Sequence, residues 1–261
     1  MIKYGMSYGI CLGKNYDRVT VQNLINSIDM QDHMTLPYEI IVIGDYKNDL
    51  TSHGLLRHIM FDETQKNGWI TRKKNLLADA ACYPTLCFLH DYYILKPGWF
   101  EGLVRYSEEH PEWKVLMNEV TRFEGDRHSD WLVNQEYMDI LLQKYPELGP
   151  KLMSVAPTEN NGPRWVCALP YDEKSLTHIQ YISGGYILVR RDVLKTHKFD
   201  ERFGWGEAAE DVIWSKVLIK NGIRFQFNPY NSVSLQKPAK WRVYEMTSEC
   251  VERLKETFCN V

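Results

Sequence analysis

Apolar residues in this chain come as short runs alternating with segments of helical spacing. Residues 8–12 form one such run, closed by Gly13, and residues 19–28 then carry apolar side chains every three or four positions, predicting strand then helix. Tyr38–Ile43 is a β-branched run stopped by Gly44-Asp45, a strand ended by a turn. Residues 56–61 predict a third strand, 71–81 a helix rich in helix formers, and 85–89 a buried strand leading into His90-Asp91. After the break at Lys96-Pro97-Gly98-Trp99, residues 100–107 read as helix. Alternation of this kind predicts an α/β fold whose parallel strands are joined by crossover helices. Such sheets hold ligands at the carboxyl ends of their strands, which nominates Gly13-Lys14-Asn15, Asp45 and His90-Asp91.

The pattern changes between 115 and 178. This stretch is punctuated by Pro and Asn, predicts a helix over 131–144, and contains a loop at Glu159-Asn160-Asn161-Gly162-Pro163. Long excursions in a compact domain are often lids or binding loops. Regular patterning returns at 180–190, an apolar segment interrupted by Ser183-Gly184-Gly185. A loop rich in Gly and aromatics follows over 199–207. A helix is predicted over 210–219 with two acids, Glu210 and Asp211, in its opening turn, where they suit the helix dipole. A strand over 223–228 and the helix Ser248–Phe258 close the chain.

Composition adds exclusions. With 261 residues, 44% apolar and 25% charged, the chain can bury a sizeable core and fits one large domain or two small ones, of which a single domain over 1–261 is expected. A formal net charge of −3 carries no strong nucleic-acid or membrane signal. No run approaches the ~18–20 apolar residues of a membrane span, and the N-terminus has no secretory pattern. The six cysteines show no CxxC pair or zinc spacing, and Cys11 and Cys87 sit in apolar runs as core residues, so a cytoplasmic location is expected. Arg190-Arg191 could grip phosphate, but it lies at the far end of its strand and reads as a solvated pair.

Three segments, in order, resemble glycosyltransferase family 2 and its GT-A relatives. The opening strand, helix and Tyr38-Glu39-Ile40-Ile41-Val42-Ile43-Gly44-Asp45 look like the family's nucleotide-binding start. Lys73-Lys74-Asn75 with Phe88-Leu89-His90-Asp91 through Pro97-Gly98-Trp99 resembles its Ala-Arg-Asn helix and the strand leading to its acidic metal motif. Ser183-Gly184-Gly185, Phe199-Asp200-Glu201-Arg202-Phe203, Trp205-Gly206-Glu207 and Glu210-Asp211 are similar to its acceptor half and to the Trp-Gly-Gly-Glu-Asp stretch of β-galactosyltransferases.

The resemblance implies a GT-A fold with a mixed central sheet: residues 1–110 bind nucleotide-sugar, 115–178 form a variable excursion, and 179–261 bind acceptor. It implies an inverting transfer, by default from a UDP-sugar, to a glycan or other hydroxyl-bearing acceptor. Asp211 would be the general base, against a plain helix-capping role. Donor-binding residues would be Gly13, Asp45, Lys74, Asn75, His90 and Asp91, with acceptor contacts from Gly184, Gly185, Trp205 and Glu210. The metal motif departs from the family's. Only Asp91 is acidic where His90, Tyr92 and Tyr93 replace expected acids, and Ser232-Val233-Ser234-Leu235-Gln236 lacks the later ligand histidine. Either Asp91 ligates Mn²⁺ or Mg²⁺ with diphosphate oxygens, or the enzyme is metal-independent and uses Lys/Arg charge. Two rivals stand beside this reading: a nucleotidyltransferase of similar fold, and a non-catalytic sugar- or nucleotide-binding protein with a degenerate metal motif.

Overall fold

The computed structural model describes residues 2, 4–34, 36–46, 49–66, 68–149, 167–204, 210–238 and 243–258. Elements are numbered in chain order. Strands β1 (Met6–Cys11), β2 (Tyr38–Ile43), β3 (Leu55–Ile59) and β4 (Thr85–His90) run parallel in the spatial order β3-β2-β1-β4. Helix α1 (Arg18–Asp29) crosses from β1 to β2 and α2 (Ile70–Ala80) from β3 to β4, so the predicted βα alternation is present. The sheet then turns mixed. β10 (Tyr186–Arg190) lies antiparallel to β4, and β6 (Val115–Thr121), β11 (Phe225–Leu235) and β5 (Tyr93–Leu95) complete eight strands.

Local chemistry explains the element ends. Asp17 caps α1 by accepting from Val19 N at 3.1 Å and Thr20 Oγ1 at 2.6 Å, so the helix begins at Arg18. Asn134 does the same for α4 (Gln135–Lys144), accepting from Glu136 N at 3.2 Å. The helix predicted over 131–144 is therefore only partly helical: Trp131–Val133 is strand β7, and helix starts after the capping Asn. The predicted strand over 223–228 continues to Leu235 past an irregularity between Asn228 and Ser232, because β6 keeps offering it a parallel partner. β7 belongs to a second sheet in the order β12 (Tyr244–Glu245), β8 (Cys167–Ala168), β7, β9 (Gln180–Ile182). Buried Asp130 ties this sheet to β6, accepting from Arg127, from Trp131 N and from Tyr171 Oη at 2.8 Å, and from Val120 N at 3.3 Å.

Helices α3 (Trp99–Glu109), α5 (Arg191–Thr196), α6 (Glu210–Lys220) and α7 (Ser248–Phe258) complete the described α-helices. One continuous core runs from Met6 on β1 to Leu254 on α7 and includes Cys11 and Cys87. No described helix is long and apolar enough to cross a membrane. Gly9 on β1 lets α2 settle closely, since a Cβ there would stand 3.0 Å from Leu77 Cδ1. That approach sets how deep α2 carries its lysines.

Candidate active site

Parallel register brings Cys11, Ile43 and His90 level at one edge of the sheet. The residues just beyond them therefore share that edge. Asp91 Oδ2 faces Gly13 N at 3.4 Å, joining two of the nominated groups across 78 positions of sequence. Because β10 runs the other way, its start lies at the same edge, where Gly185 O accepts from His90 N at 2.9 Å. Ser183-Gly184-Gly185 is thus delivered against His90-Asp91 by strand direction alone.

Gly184 sits at the centre of a buried charge cluster. Its N–H donates to Asp211 Oδ2 at 2.9 Å, and the other oxygen, Oδ1, accepts from Val212 N at 2.8 Å. Lys74 Nζ, fully buried on α2, lies 3.2 Å from Glu210 Oε1 and 4.9 Å from the centroid of the Phe199 ring. A Cβ at position 184 would come within 2.6 Å of Glu210 Oε1 and 2.9 Å of Lys74 Nζ. Glycine is required there because two charged side chains occupy the space.

Residues 199–203, beyond α5, are fastened to α2. Trp69 Nε1 donates to Glu201 O at 2.7 Å, Thr71 Oγ1 to Phe203 O at 2.6 Å, and Arg72 pairs with Glu201 at 2.9 Å. Asn75 joins in, donating to Phe199 O at 2.9 Å and Glu201 Oε1 at 2.8 Å and accepting from Phe199 N at 3.0 Å. Nominated as a donor contact, Asn75 in the structure spends its amide on the fold. It holds Phe199 and Glu201 against α2.

Electrostatics divide the two acids. Burial raises Asp211, the Glu210 carboxylate adds to this, and the carboxyl is lifted from 3.8 to about 6 against the opposing hydrogen bond from Gly184. Burial would raise Glu210 too, but the charge of Lys74 and its hydrogen bond outweigh that and hold it below the usual carboxylate value. Glu210 is thus held ionised by its lysine partner, while Asp211 changes protonation near pH 6. Burial, reinforced by Lys74, drives His90 down to about 3, so the ring is neutral. Its Nδ1 meets Tyr92 Oη at 3.0 Å, while Nε2 is buried with no hydrogen-bond partner. Burial also raises Asp91, with the Gly13 N–H opposing.

Other nominated residues stand apart. Asp45 is exposed beyond β2 and contacts no member of the cluster among the described residues. Trp205 lies outside the described residues. Sequence reasoning did not nominate Tyr92 and Tyr93, which stack at 5.1 Å and crowd Gly185, where a Cβ would be 2.9 Å from Tyr93 Oη and 3.2 Å from Tyr92 Oη. Their place in the departed acidic motif was the available signal. Lys73 was likewise treated as part of a helix, yet it is buried, donates to Leu12 O at 2.7 Å and pairs with Glu63. Lys237 follows β11, pairs with Asp17 at 3.3 Å, and its charge reaches Asp91.

These donors were weighed against a divalent ion. Hard Mg²⁺ or Mn²⁺ seeks about six oxygen ligands. Glu210 is committed to Lys74, Asp211 to two backbone N–H groups, and among the described residues of the cluster Asp91 is the remaining acid, already facing Gly13 N. Among the described residues no three His, Cys, Asp or Glu side chains converge as a metal site. The described set does not fit a protein-held divalent cation.

No protein-family model and no curated protein matches the sequence. Solved structures do. The crystal structure of S. aureus TarS 1–349 superposes with a TM-score of 0.53 at 13% identity, over 96% of this chain and 64% of that one. The crystal structure of GalNAc-T7 with UDP, GalNAc and Mn²⁺ gives a TM-score of 0.57 at 12% identity, over 96% of this chain and 47% of that one. Both are GT-A fold glycosyltransferases. This chain has the GT-A fold. It spans less than two thirds of the length of either structure. On this GT-A sheet, the Lys74–Glu210 pair and Asp211 lie at the carboxyl edge of the parallel strands, where such sheets hold ligands.

Proposed function

We propose that the chain is an inverting glycosyltransferase that moves a sugar from a nucleotide-sugar donor, a UDP-sugar, to a hydroxyl of a glycan or other acceptor, with Asp211 as general base. The observation that carries this reading is the pairing at Gly184. One partly buried carboxylate is held by a backbone N–H with its pKa raised to about 6, beside a second acid neutralised by a buried lysine. A base is most effective when its pKa lies near working pH. UDP is present in the structure of GalNAc-T7, which shares this fold.

The reaction balances simply. The acceptor oxygen bonds to the anomeric carbon, the bond from that carbon to the nucleoside diphosphate breaks, and the acceptor proton passes to Asp211. The Gly184 and Val212 N–H groups fix the carboxylate, and Glu210, anchored by Lys74, orients an acceptor hydroxyl beside it. The region 1–110 would hold the donor, with Gly13 and Asp91 at its sheet edge and neutral His90 offering Nε2. Lys237, whose charge reaches Asp91, would offset diphosphate charge. Tyr92, Tyr93 and Gly185 would form an aromatic floor for the transferred sugar.

The test is a thermal-stability screen with UDP, GDP and their sugars, with Mn²⁺ or with EDTA, followed by turnover of the stabilising donor. A donor at 100 times its dissociation constant adds about 2.7 kcal/mol. Asp211→Asn should keep that stabilisation and lose turnover. No stabilisation by any nucleotide, or unchanged turnover in Asp211→Asn, sinks the assignment.

A further inference from the structure

β4 and β10 pair antiparallel, with Leu89 opposite Tyr186 at the active-site end and Thr85 opposite Arg190 at the other. At ~3.3 Å per residue, about 13 Å of strand separates the two ends. A cleft of about 480 Å³ opens at the far end, within the size range of small-molecule sites. Lys114, Arg190, Arg191 and Lys195 line it, against two acids, Glu112 and Asp192. This cationic excess stands out in a chain of formal net charge −3.

Arg190 is the group that asks for a ligand. Its half-buried guanidinium stacks 3.9 Å from the Trp113 ring centroid and, among the described residues, donates only to neutral oxygens, Thr85 Oγ1 at 3.0 Å and Trp113 O at 3.5 Å. Burial pulls its pKa below the ordinary arginine value, with Asp192 opposing. Arg191 is directed to carbonyls at the end of α2, Ala78 O at 3.1 Å and Asp79 O at 3.2 Å. None of the four cations forms an ion pair among the described residues. A half-enclosed guanidinium with no described carboxylate within ion-pair distance favours an incoming anion, and its planar fork matches phosphate oxygens.

We propose that this cleft binds a phosphate group, carried by a small molecule or a phosphate-bearing chain, at a site separate from the transfer centre. Arg190 supplies the half-buried contact, and the exposed Lys114 and Lys195 supply outer charge. Cys82 lines the same cleft and is exposed, whereas the other described cysteines are buried, so its thiol is a local reporter. The experiment follows alkylation of Cys82 by iodoacetamide, read by peptide mass, with inorganic phosphate, linear polyphosphate, or sodium chloride at matched ionic strength.

Phosphate at ten times its dissociation constant should slow alkylation about tenfold, since only the free cleft reacts. Chloride should not. Protection by polyphosphate alone supports the same chemistry from a chain source. Lys114→Gln/Lys195→Gln, which changes two exposed side chains, should keep the wild-type melting temperature and need at least tenfold more phosphate for equal protection. Equal alkylation rates with and without both phosphate probes, or undiminished protection in the double variant, would overturn the proposal.

Discussion

Replacing Asp211 with Asn tests the electrostatics of the cluster independently of any substrate. The unfolded carboxyl titrates near 3.8, and burial beside Glu210 raises it to about 6 in the native state. Between those values the folded chain holds a proton that the unfolded chain has released. Stability contributed by Asp211 is therefore present at low pH and falls as pH rises through that window. The full shift corresponds to about 3 kcal/mol, of which about 2 to 3 should be seen between pH 4 and pH 7.

Asn cannot titrate, and it leaves one of two N–H donors, Gly184 or Val212, without an acceptor. That loss costs about 1–2 kcal/mol but is the same at every pH. The informative quantity is thus the change with pH of the difference in unfolding free energy, variant minus wild type. It should rise by about 2 to 3 kcal/mol from pH 4 to 7 in urea denaturation at unchanged m. Glu210, relieved of its neighbour's charge, pushes in the same direction. A difference level to within ~0.5 kcal/mol would refute the assigned burial and coupling of Asp211. In turnover assays the wild type should lose activity below pH about 6, as its base becomes protonated.

Two further substitutions examine the same cluster. Lys74→Met strands Glu210, whose side chain is 12% exposed, and should destabilise by about 3–5 kcal/mol in chemical denaturation. Adding Glu210→Gln should recover most of that loss, and a double variant no more stable than the single would argue against the ion pair. Gly184→Ala drives a Cβ into Glu210 Oε1 and Lys74 Nζ and should cost about 1–3 kcal/mol. Its turnover should drop at least tenfold, and wild-type turnover would show that this geometry is not used in transfer.

Much of the architecture was legible because its signals are local. The runs at 8–12, Tyr38–Ile43 and 85–89 became β1, β2 and β4 within a residue or two. Errors arose where pairing overrode local pattern. Trp131–Val133 fits a helical period but became strand because β9 and β8 flank it, and β11 runs past Pro229 because β6 lies alongside. β6 itself escaped notice among the polar punctuation of the 115–178 segment.

For the site, sequence alone determined which groups could do chemistry: the Glu210-Asp211 pair at a helix start, the double glycine interrupting an apolar segment, and Asp91 at a strand end. Tertiary structure decided what each group faces. Lys74 and Glu210 are 136 positions apart and meet at 3.2 Å in the fold, beside the contacts of Asn75, Thr71 and Trp69 with residues 199–203. Helical spacing gave no reason to bury Lys73 and Lys74, because lysines on a polar helix normally remain in water. A side chain's charge is written in the sequence, but its pKa and partners depend on which distant backbone excludes water around it.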